Sequence, residues 1–139
     1  MIPFWCGTFV GVPFKDRGRT REGWDCWGAV ATIYEEVYGI RLPSFAIRYQ
    51  TANDRVTVAR LFFEESTSAR WRRVDLKDAR PPDVLAMSLA GARHVAVLVT
   101  PDRFLHVLAG RETCVERIHP HWAPRIEAVY RHEELVLAT

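Results

Sequence analysis

The sequence lacks several features that mark particular classes of protein. Its first residues, MIPFWCGTFVGVPF, lack the basic start and continuous apolar run of a secretory signal, and no apolar run approaches a membrane span. It also lacks internal repeats, low-complexity tracts and Gly/Ser linkers. We therefore expect one domain over residues 1–139, synthesised and initially kept in the cytoplasm and without a membrane segment.

Cysteine is scarce, and its spacing excludes two common uses of thiols. Cys6, Cys26 and Cys114 form an odd set without metal-type pairs, so neither a disulfide framework nor a zinc ribbon is indicated. The His-Pro-His at 119–121 has no cysteine or carboxylate at ligand spacing. We expect no metal, no cofactor, and packing roles for Cys6 and Cys114.

An excess of either charge is also missing. The 19 basic and 17 acidic residues leave a formal net charge of +2, and the basic residues are scattered among acidic ones. This pattern does not predict a nucleic-acid partner. The run RWRR at 70–73 is the densest basic segment, and we interpret it as an exposed turn.

What the sequence does contain is a helical first half. Apolar residues recur at helical spacing over 26–38, with Asp25 placed to cap the start and Gly39 placed to end the helix. A second helix is predicted to begin near Asn53 or Asp54 and to continue through VTVARLFFEE.

The second half changes to short apolar runs. From Asp83 onward these are DVLAMSL, HVAVLVT, RFLHVLA, TCVERI and RIEAVYRH, separated by turn-forming residues. Helices followed by strands predict an α+β fold, with an antiparallel meander of about five strands. Packing the helix on this sheet would bring Cys26 close to the histidines of the strands.

Cys26 is the candidate nucleophile because it begins the predicted helix. A helix N-terminus stabilises a thiolate through unpaired N–H groups and the helix dipole. The alternative for an isolated cysteine is a small buried core residue, and an isolated strand histidine is commonly a hydrogen-bonded structural residue. What favours catalysis is the joint presence of Cys26, His94 and His106, since thiol hydrolysis needs a base and a group that orients it.

The two histidines can act together only if they face the same side of the sheet. A three-residue turn at 100–102 would set His106 opposite Ala96 and diagonal to His94, whereas a two-residue turn would separate the rings. We predict the first arrangement. Trp24 and Trp27 flank Cys26 and are predicted to line the substrate groove.

Three segments carry a family resemblance. GWDCWGAV followed by YGIRLPSF, and then PDVLAMSLAGARHVAVLVTPDRFLHVLAG, resemble in order and spacing the motifs of the NlpC-type papain-like cysteine peptidases, which are cell-wall hydrolases. The resemblance implies a papain-like fold, Cys26 as nucleophile, His94 as base and His106 as its orienting partner. The residues predicted to bind substrate are Phe14, Trp24, Asp25 and Trp27.

The DCWG segment and the tail TCVERIHPHWAPRIEAVYRH resemble the branch of this family encoded with phage tail and gene transfer agent genes. That resemblance implies a peptidoglycan stem peptide as substrate, cut at the D-γ-glutamyl–diamino acid amide, and other tail-tip proteins as partners. It also implies incorporation of the protein into a phage or phage-like tail.

One departure keeps alternatives open. Phe14 stands where many members of the family have a tyrosine, so its hydroxyl is missing. A structural tail-tip protein that retains the peptidase fold with little or no activity is one alternative. An acyltransferase or thioesterase on a related papain-like fold is another.

Overall fold

The computed structural model describes residues 1–51 and 53–137. The α-helices are α1 (Cys26–Tyr38), α2 (Arg55–Ser66) and α3 (Glu133–Leu137), and 3-10 helices span Phe4–Thr8, Leu76–Asp78 and Ala123–Arg125. The strands are β1 (Arg19–Thr20), β2 (Gly23–Trp24), β3 (Trp71–Val74), β4 (Val84–Leu89), β5 (Ala92–Thr100), β6 (Arg103–His106), β7 (Cys114–Arg117) and β8 (Ile126–His132). The α+β prediction is confirmed.

The main sheet is not the simple meander that the sequence predicts. Its six antiparallel strands lie in the order β3-β8-β4-β5-β6-β7, so only β4 to β7 form a meander. β8 returns across the sheet and pairs with β3 and β4. All five predicted strands exist, but the spatial order of the last one was wrong.

Strand β3 corrects the interpretation of the RWRR segment as an exposed turn. Trp71 pairs with His132, and its indole Nε1 donates a 2.8 Å hydrogen bond to Glu65 on α2. Glu65 is buried and forms an ion pair with Arg70 at 2.6 Å. The segment is a strand in which Trp71 is buried while Arg72 and Arg73 are exposed to solvent. These two adjacent exposed arginines are why the sequence pattern resembled a turn.

Helix α1 begins and ends as predicted. The Asp25 carboxylate accepts a 2.9 Å hydrogen bond from the Gly28 N–H, and Gly39 closes the helix in the left-handed conformation at φ 69°. Ile33 and Tyr34 have no exposed surface and pack with valines of β5. Packing of this face fixes the helix start against the sheet.

Side chains alternate between the two faces of β5. Val95, Val97 and Val99 belong to the core formed with α1, whereas Ala96 and Leu98 belong to a second apolar cluster. Both clusters are buried, so the sheet is covered on both faces. Among the described residues, no helix is long and apolar enough to span a bilayer.

The β5–β6 hairpin reaches the predicted register by an unpredicted route. Val97 pairs with Leu105, but the register shifts between Leu98 and Thr100, which marks a β-bulge. The turn itself has two residues, 101–102, because Thr100 already pairs across it. The predicted three-residue turn was therefore wrong, and the bulge supplies the extra residue instead.

Candidate active site

The two histidines meet on one face of the sheet. The Nε2 atom of His94 on β5 lies 2.8 Å from Nδ1 of His106 on β6, and both residues are buried. The predicted same-face arrangement is confirmed. It exists because the bulge restores the even register that a two-residue turn alone would have lost.

A carboxylate that the sequence did not predict extends this pair. Nε2 of His106 lies 2.6 Å from Oε2 of Glu116 on β7, and the other carboxylate oxygen accepts a 3.1 Å hydrogen bond from the indole of Trp122. Trp122 also packs edge-on against the His106 ring. The result is a continuous relay from His94 through His106 to Glu116.

This relay determines where the ring protons lie. An ionised carboxylate only accepts hydrogen bonds, so His106 donates from Nε2 to Glu116 and accepts at Nδ1. His94 then donates from Nε2 to His106. The remaining nitrogen, Nδ1 of His94, is left without a proton and is available as a base.

The pKa values agree with neutral rings beside a charged carboxylate. Burial, and then the neighbouring His106, lowers the pKa of His94 from 6.5 to about 3. Burial also lowers the pKa of His106, partly offset by Glu116. Burial alone would raise the pKa of Glu116, but hydrogen bonds from His106 and Trp122 outweigh it and lower that pKa.

Cys26 lies at the start of α1 and is partly exposed. Main-chain groups of Val95 and Trp27 hydrogen-bond to it, and Val95 directly follows His94. Within the described part of the chain, the Cys26 thiol forms hydrogen bonds with main-chain groups only. The thiol is therefore adjacent to the histidine strand, and no hydrogen bond joins thiol and ring in this state, as is common in unliganded sites.

The start of helix α1 is not the strongest influence on the pKa of the Cys26 thiol. Burial, followed by the charge of Asp25, raises the pKa of Cys26 to about 11, although the two main-chain hydrogen bonds and Arg19 lower it. The raised pKa of the Cys26 thiol and the lowered pKa of His94 both favour the neutral forms in the resting site. Such a pair needs proton transfer during attack rather than a preformed ion pair.

Asp25, predicted to bind substrate, is occupied by groups of the chain itself. It is 2% exposed and accepts hydrogen bonds from the main chain of Arg17 and Gly28, from the Arg19 guanidinium and from the Tyr49 hydroxyl. The Arg19 contact is 2.9 Å. Asp25 thus positions the start of α1, and this structure leaves it little surface for a substrate.

The other predicted substrate residues divide into two groups. Trp27 lines a groove beside Cys26 and donates from its indole to the Pro43 carbonyl at 2.7 Å. Trp24 has no exposed surface, stacks on Phe9 and cannot line the groove, so that prediction was wrong. Phe14 is half-buried and pairs through main chain with Trp24, which lies two residues before Cys26.

The groove beside Cys26 is largely apolar. Its empty volume is about 840 Å³, and it runs between α1, α2 and the sheet. The side chains that line it include Trp27, Phe45, Val58, Leu61, Phe62, Val95 and Tyr130. Arg93 lies at its rim, where it pairs with Glu127 and stacks over Phe62.

The sequence did not predict a metal site, yet one group of ligating atoms occurs among the described residues. It consists of His106, Cys114 and Glu116, whose ligand atoms all lie within 4.8 Å of one another. Cys114 was expected to be a packing residue, but its Sγ lies 3.9 Å from the Glu116 carboxylate.

Glu116 was missed although a signal for it existed. Residues two apart on a strand share a face, and Cys114 pairs directly with His106, so Glu116 falls on the same face as that histidine. The pattern of TCVERI predicts a strand, and Glu116 is the single acidic residue of that strand on the face shared with Cys114.

The sequence is similar to a known protein family and to known proteins. A family signature described as NlpC/P60 family matches residues 11–131. Over 122 residues the chain is 25% identical to the murein DD-endopeptidase MepS/murein LD-carboxypeptidase of Escherichia coli (strain K12), covering 87% of this chain and 56% of that protein. Over 134 residues it is 21% identical to the gamma-DL-glutamyl hydrolase of Bacillus subtilis (strain 168), covering 93% of this chain and 28% of that protein.

Solved structures share the fold. The NlpC/p60 domain of the peptidoglycan hydrolase SagA is 19% identical with a TM-score of 0.62, and the match covers 90% of this chain and 91% of that one. An NlpC/P60 family protein from Bacillus cereus ATCC 10987 is 20% identical with a TM-score of 0.65, covering 95% of this chain and 41% of that one.

Proposed function

Because this chain belongs to the NlpC/P60 family and carries a buried histidine relay beside a cysteine at a helix start, we propose that it is a cysteine peptidase. The observation that carries the proposal is the relay of His94, His106 and Glu116, since it leaves one unprotonated nitrogen on His94. Buried ionisable groups with strongly shifted pKa values cluster at functional sites, which favours catalysis over a purely structural role.

The proposed reaction follows from the neutral resting pair. As Sγ of Cys26 attacks the amide carbon, the thiol proton passes to Nδ1 of His94, and main-chain N–H groups at the start of α1 stabilise the oxyanion. His94 then protonates the leaving amine, which leaves an acyl-enzyme. Water attacks the thioester with His94 as base, releasing the acid and restoring the thiol.

The finer part of the proposal concerns substrate and setting. The resemblance of the DCWG segment and the tail to tail-encoded members supports a peptidoglycan stem peptide, cut at the D-γ-glutamyl–diamino acid amide. It also supports synthesis in the cytoplasm and incorporation into a phage or phage-like tail with other tail-tip proteins.

Digestion of purified peptidoglycan tests the activity. Wild type should release fragments cut at the D-glutamyl amide, identified by mass spectrometry, and Cys26→Ala should release none. Cys6→Ala is the matched control, because it removes a buried thiol far from the relay in sequence. Equal release by Cys26→Ala, with circular dichroism confirming an intact fold, would exclude the mechanism.

The apolar groove supports a second candidate function, hydrolysis or transfer of an acyl chain. Stem peptides are rich in charged groups, whereas the groove is lined almost wholly by apolar side chains. Fluorogenic esters of increasing chain length would separate the two candidates. A rise in kcat/KM with chain length, abolished by Cys26→Ala and weakened by Leu61→Asn, would favour the acyl substrate.

The tail-tip role is tested separately from catalysis. Mass spectrometry of purified tail particles should detect this protein. The Cys26→Ala variant should be incorporated into the particles in equal amounts. A particle with normal amounts of the Cys26→Ala protein that still crosses the cell wall would favour the structural alternative, in which the peptidase fold is retained without use of the thiol.

A further inference from the structure

Three side chains capable of binding a metal converge at the far end of the relay. His106 on β6 pairs directly with Cys114 on β7, and Glu116 follows two residues later on the same face. Oε2 of Glu116 lies 2.6 Å from Nε2 of His106 and 3.9 Å from Sγ of Cys114. A nitrogen, a sulfur and a carboxylate oxygen therefore lie within 4.8 Å of one another.

This donor set suits a thiophilic divalent cation. Zinc binds sulfur at about 2.3 Å and imidazole nitrogen or carboxylate oxygen at about 2.0–2.2 Å, so tetrahedral ligand atoms lie roughly 3.3–3.7 Å apart. The three atoms here lie within 4.8 Å of one another, and rotation of the partly exposed Cys114 and Glu116 side chains around a fixed His106 ring would adjust their separations. The fourth position would be open to water, since Cys114 and Glu116 are partly exposed.

The surroundings orient the ligands as metal sites require. The indole Nε1 of Trp122 donates to Oε1 of Glu116, which holds the carboxylate with Oε2 directed at His106 and Cys114. His106 is 1% exposed and is packed by Phe104 and Trp122, so its ring cannot rotate freely.

We propose that His106, Cys114 and Glu116 form a binding site for Zn²⁺ or a similar thiophilic cation, and that occupation of this site switches the peptidase off. The binding part stands on the geometry of the three ligands alone. The inhibitory part rests on the function proposed above, because it acts through His94.

The switch follows from proton positions along the relay. In the active arrangement Nε2 of His106 carries a proton and donates a hydrogen bond to Glu116. A metal on that nitrogen displaces the proton, so the neutral ring must carry its proton on Nδ1 and donate to Nε2 of His94. His94 is then protonated on Nδ1 and cannot accept the thiol proton of Cys26.

The proton balance is simple. The proton displaced from Nε2 of His106 goes to solvent, the relay proton moves from His94 to His106, and His94 takes one proton from solvent on Nδ1. Ionisation of the Cys114 thiol on binding releases one proton in total. No bond to the substrate and no oxidant is involved.

Cobalt is the direct probe of the site, because a thiolate ligand gives Co²⁺ a charge-transfer band in the near ultraviolet. The titration uses Cys26→Ala, so that the nucleophile cannot serve as ligand. We expect one equivalent of Co²⁺ to produce the band. Cys26→Ala/Cys114→Ser should lose it, whereas Cys26→Ala/Cys6→Ala should keep it. Absence of the band in Cys26→Ala, or its persistence without Cys114, would overturn the site.

Inhibition is measured separately in proteins that retain Cys26. Activity at each Zn²⁺ concentration is expressed relative to the metal-free activity of the same variant. We expect the half-inhibitory concentration to rise at least ~10-fold in Cys114→Ser, which corresponds to about 1.4 kcal/mol of lost affinity. Cobalt binding without zinc inhibition would retain the site and overturn the switch. A folded protein that binds cobalt but has no hydrolase activity would instead count against the proposed function.

Discussion

At the scale of single residues, the relay makes Glu116 a positioning residue for His94. Glu116 acts through His106, which it holds as an Nε2 donor at 2.6 Å. Without the carboxylate, neither histidine would have a preferred tautomer, and a fraction of molecules would carry the proton on the nitrogen that must act as base.

We predict that Glu116→Ala lowers kcat by about 10²-fold with KM nearly unchanged, a smaller loss than the ~10⁴-fold known for an orienting carboxylate in direct contact with the base. Glu116→Gln should recover part of the loss, because its amide oxygen still accepts from His106. The exposed Glu22→Gln serves as the control. Equal KM increases in both Glu116 variants would indicate a role in binding instead.

The low pKa of His94 predicts an unusual pH profile. Protonated His94 cannot accept the thiol proton, and its pKa is lowered from 6.5 to about 3. Activity should therefore persist well below pH 6.5, where an ordinary histidine base would be protonated, and should decline only as the pH approaches the lowered value. The measurement is kcat/KM of a soluble peptide from pH 4 to 8, and an acidic limb near 6.5 would contradict it.

The chemistry-bearing residues were partly predictable from the sequence. Cys26, His94 and His106 were selected because thiol hydrolysis needs three groups, and the two histidines do lie together. The prediction that Trp24 lines the groove was wrong, because a position two residues from Cys26 in sequence does not determine the direction in which a side chain packs. Its indole is instead buried in the core, where it donates a 2.9 Å hydrogen bond to the Thr113 hydroxyl.

At the scale of elements, the start of α1 depends on close contact with the β1–β2 hairpin. A Cβ added at Gly28 would lie 2.2 Å from the Gly18 carbonyl oxygen and 2.8 Å from Cβ of Trp24. Arg19 then connects the hairpin to Asp25 and to the Ser44 carbonyl. The position of Cys26 at the start of α1 is thus determined by backbone packing as well as by the cap.

Gly28→Ala is therefore predicted to destabilise the protein by about 1–3 kcal/mol, as overpacking does, although alanine favours helices by about 1 kcal/mol. Activity should fall as well, because the hairpin and α1 must separate. Gly39→Ala is the matched control. Its φ of 69° should destabilise an alanine by about 1 kcal/mol, but Gly39 lies at the opposite end of α1 from Cys26, so activity should change little. Thermal unfolding and kcat would be compared, and higher stability in Gly28→Ala would refute the contact.

Element types were easier to predict than their arrangement. Alternating apolar runs located β4 to β8, and the cap residues located α1. The bulge between Leu98 and Thr100 has no sequence signal of its own, since neither residue is a glycine. Spatial order is a property of the whole sheet, so β8 could not be placed between β3 and β4 from local pattern.

At the scale of the whole molecule, β8 connects the two halves of the sheet. It pairs with both β3 and β4, and Arg131 forms a bidentate pair with the buried Asp83 at 2.9 and 2.8 Å. Losing this strand would leave two neighbours with unpaired backbone and a buried carboxylate without its cation.

A chain ending at residue 125 is therefore expected not to fold cooperatively. Its urea titration should show no sigmoidal transition, and its backbone amides should exchange rapidly. A chain ending at residue 132, which keeps β8, is the comparison and should retain a cooperative transition. A cooperative transition in the shorter chain would mean that β3 finds another partner.

The interior position of β8 also has a consequence in time. A ribosome synthesises Cys26 early and the histidines in the middle of the chain, but the strand that closes the sheet emerges only when residue 132 has left the exit tunnel. A nascent chain therefore contains Cys26 and both histidines before it contains a complete sheet. Translation therefore delays completion of the sheet that carries His94 and His106 beside Cys26.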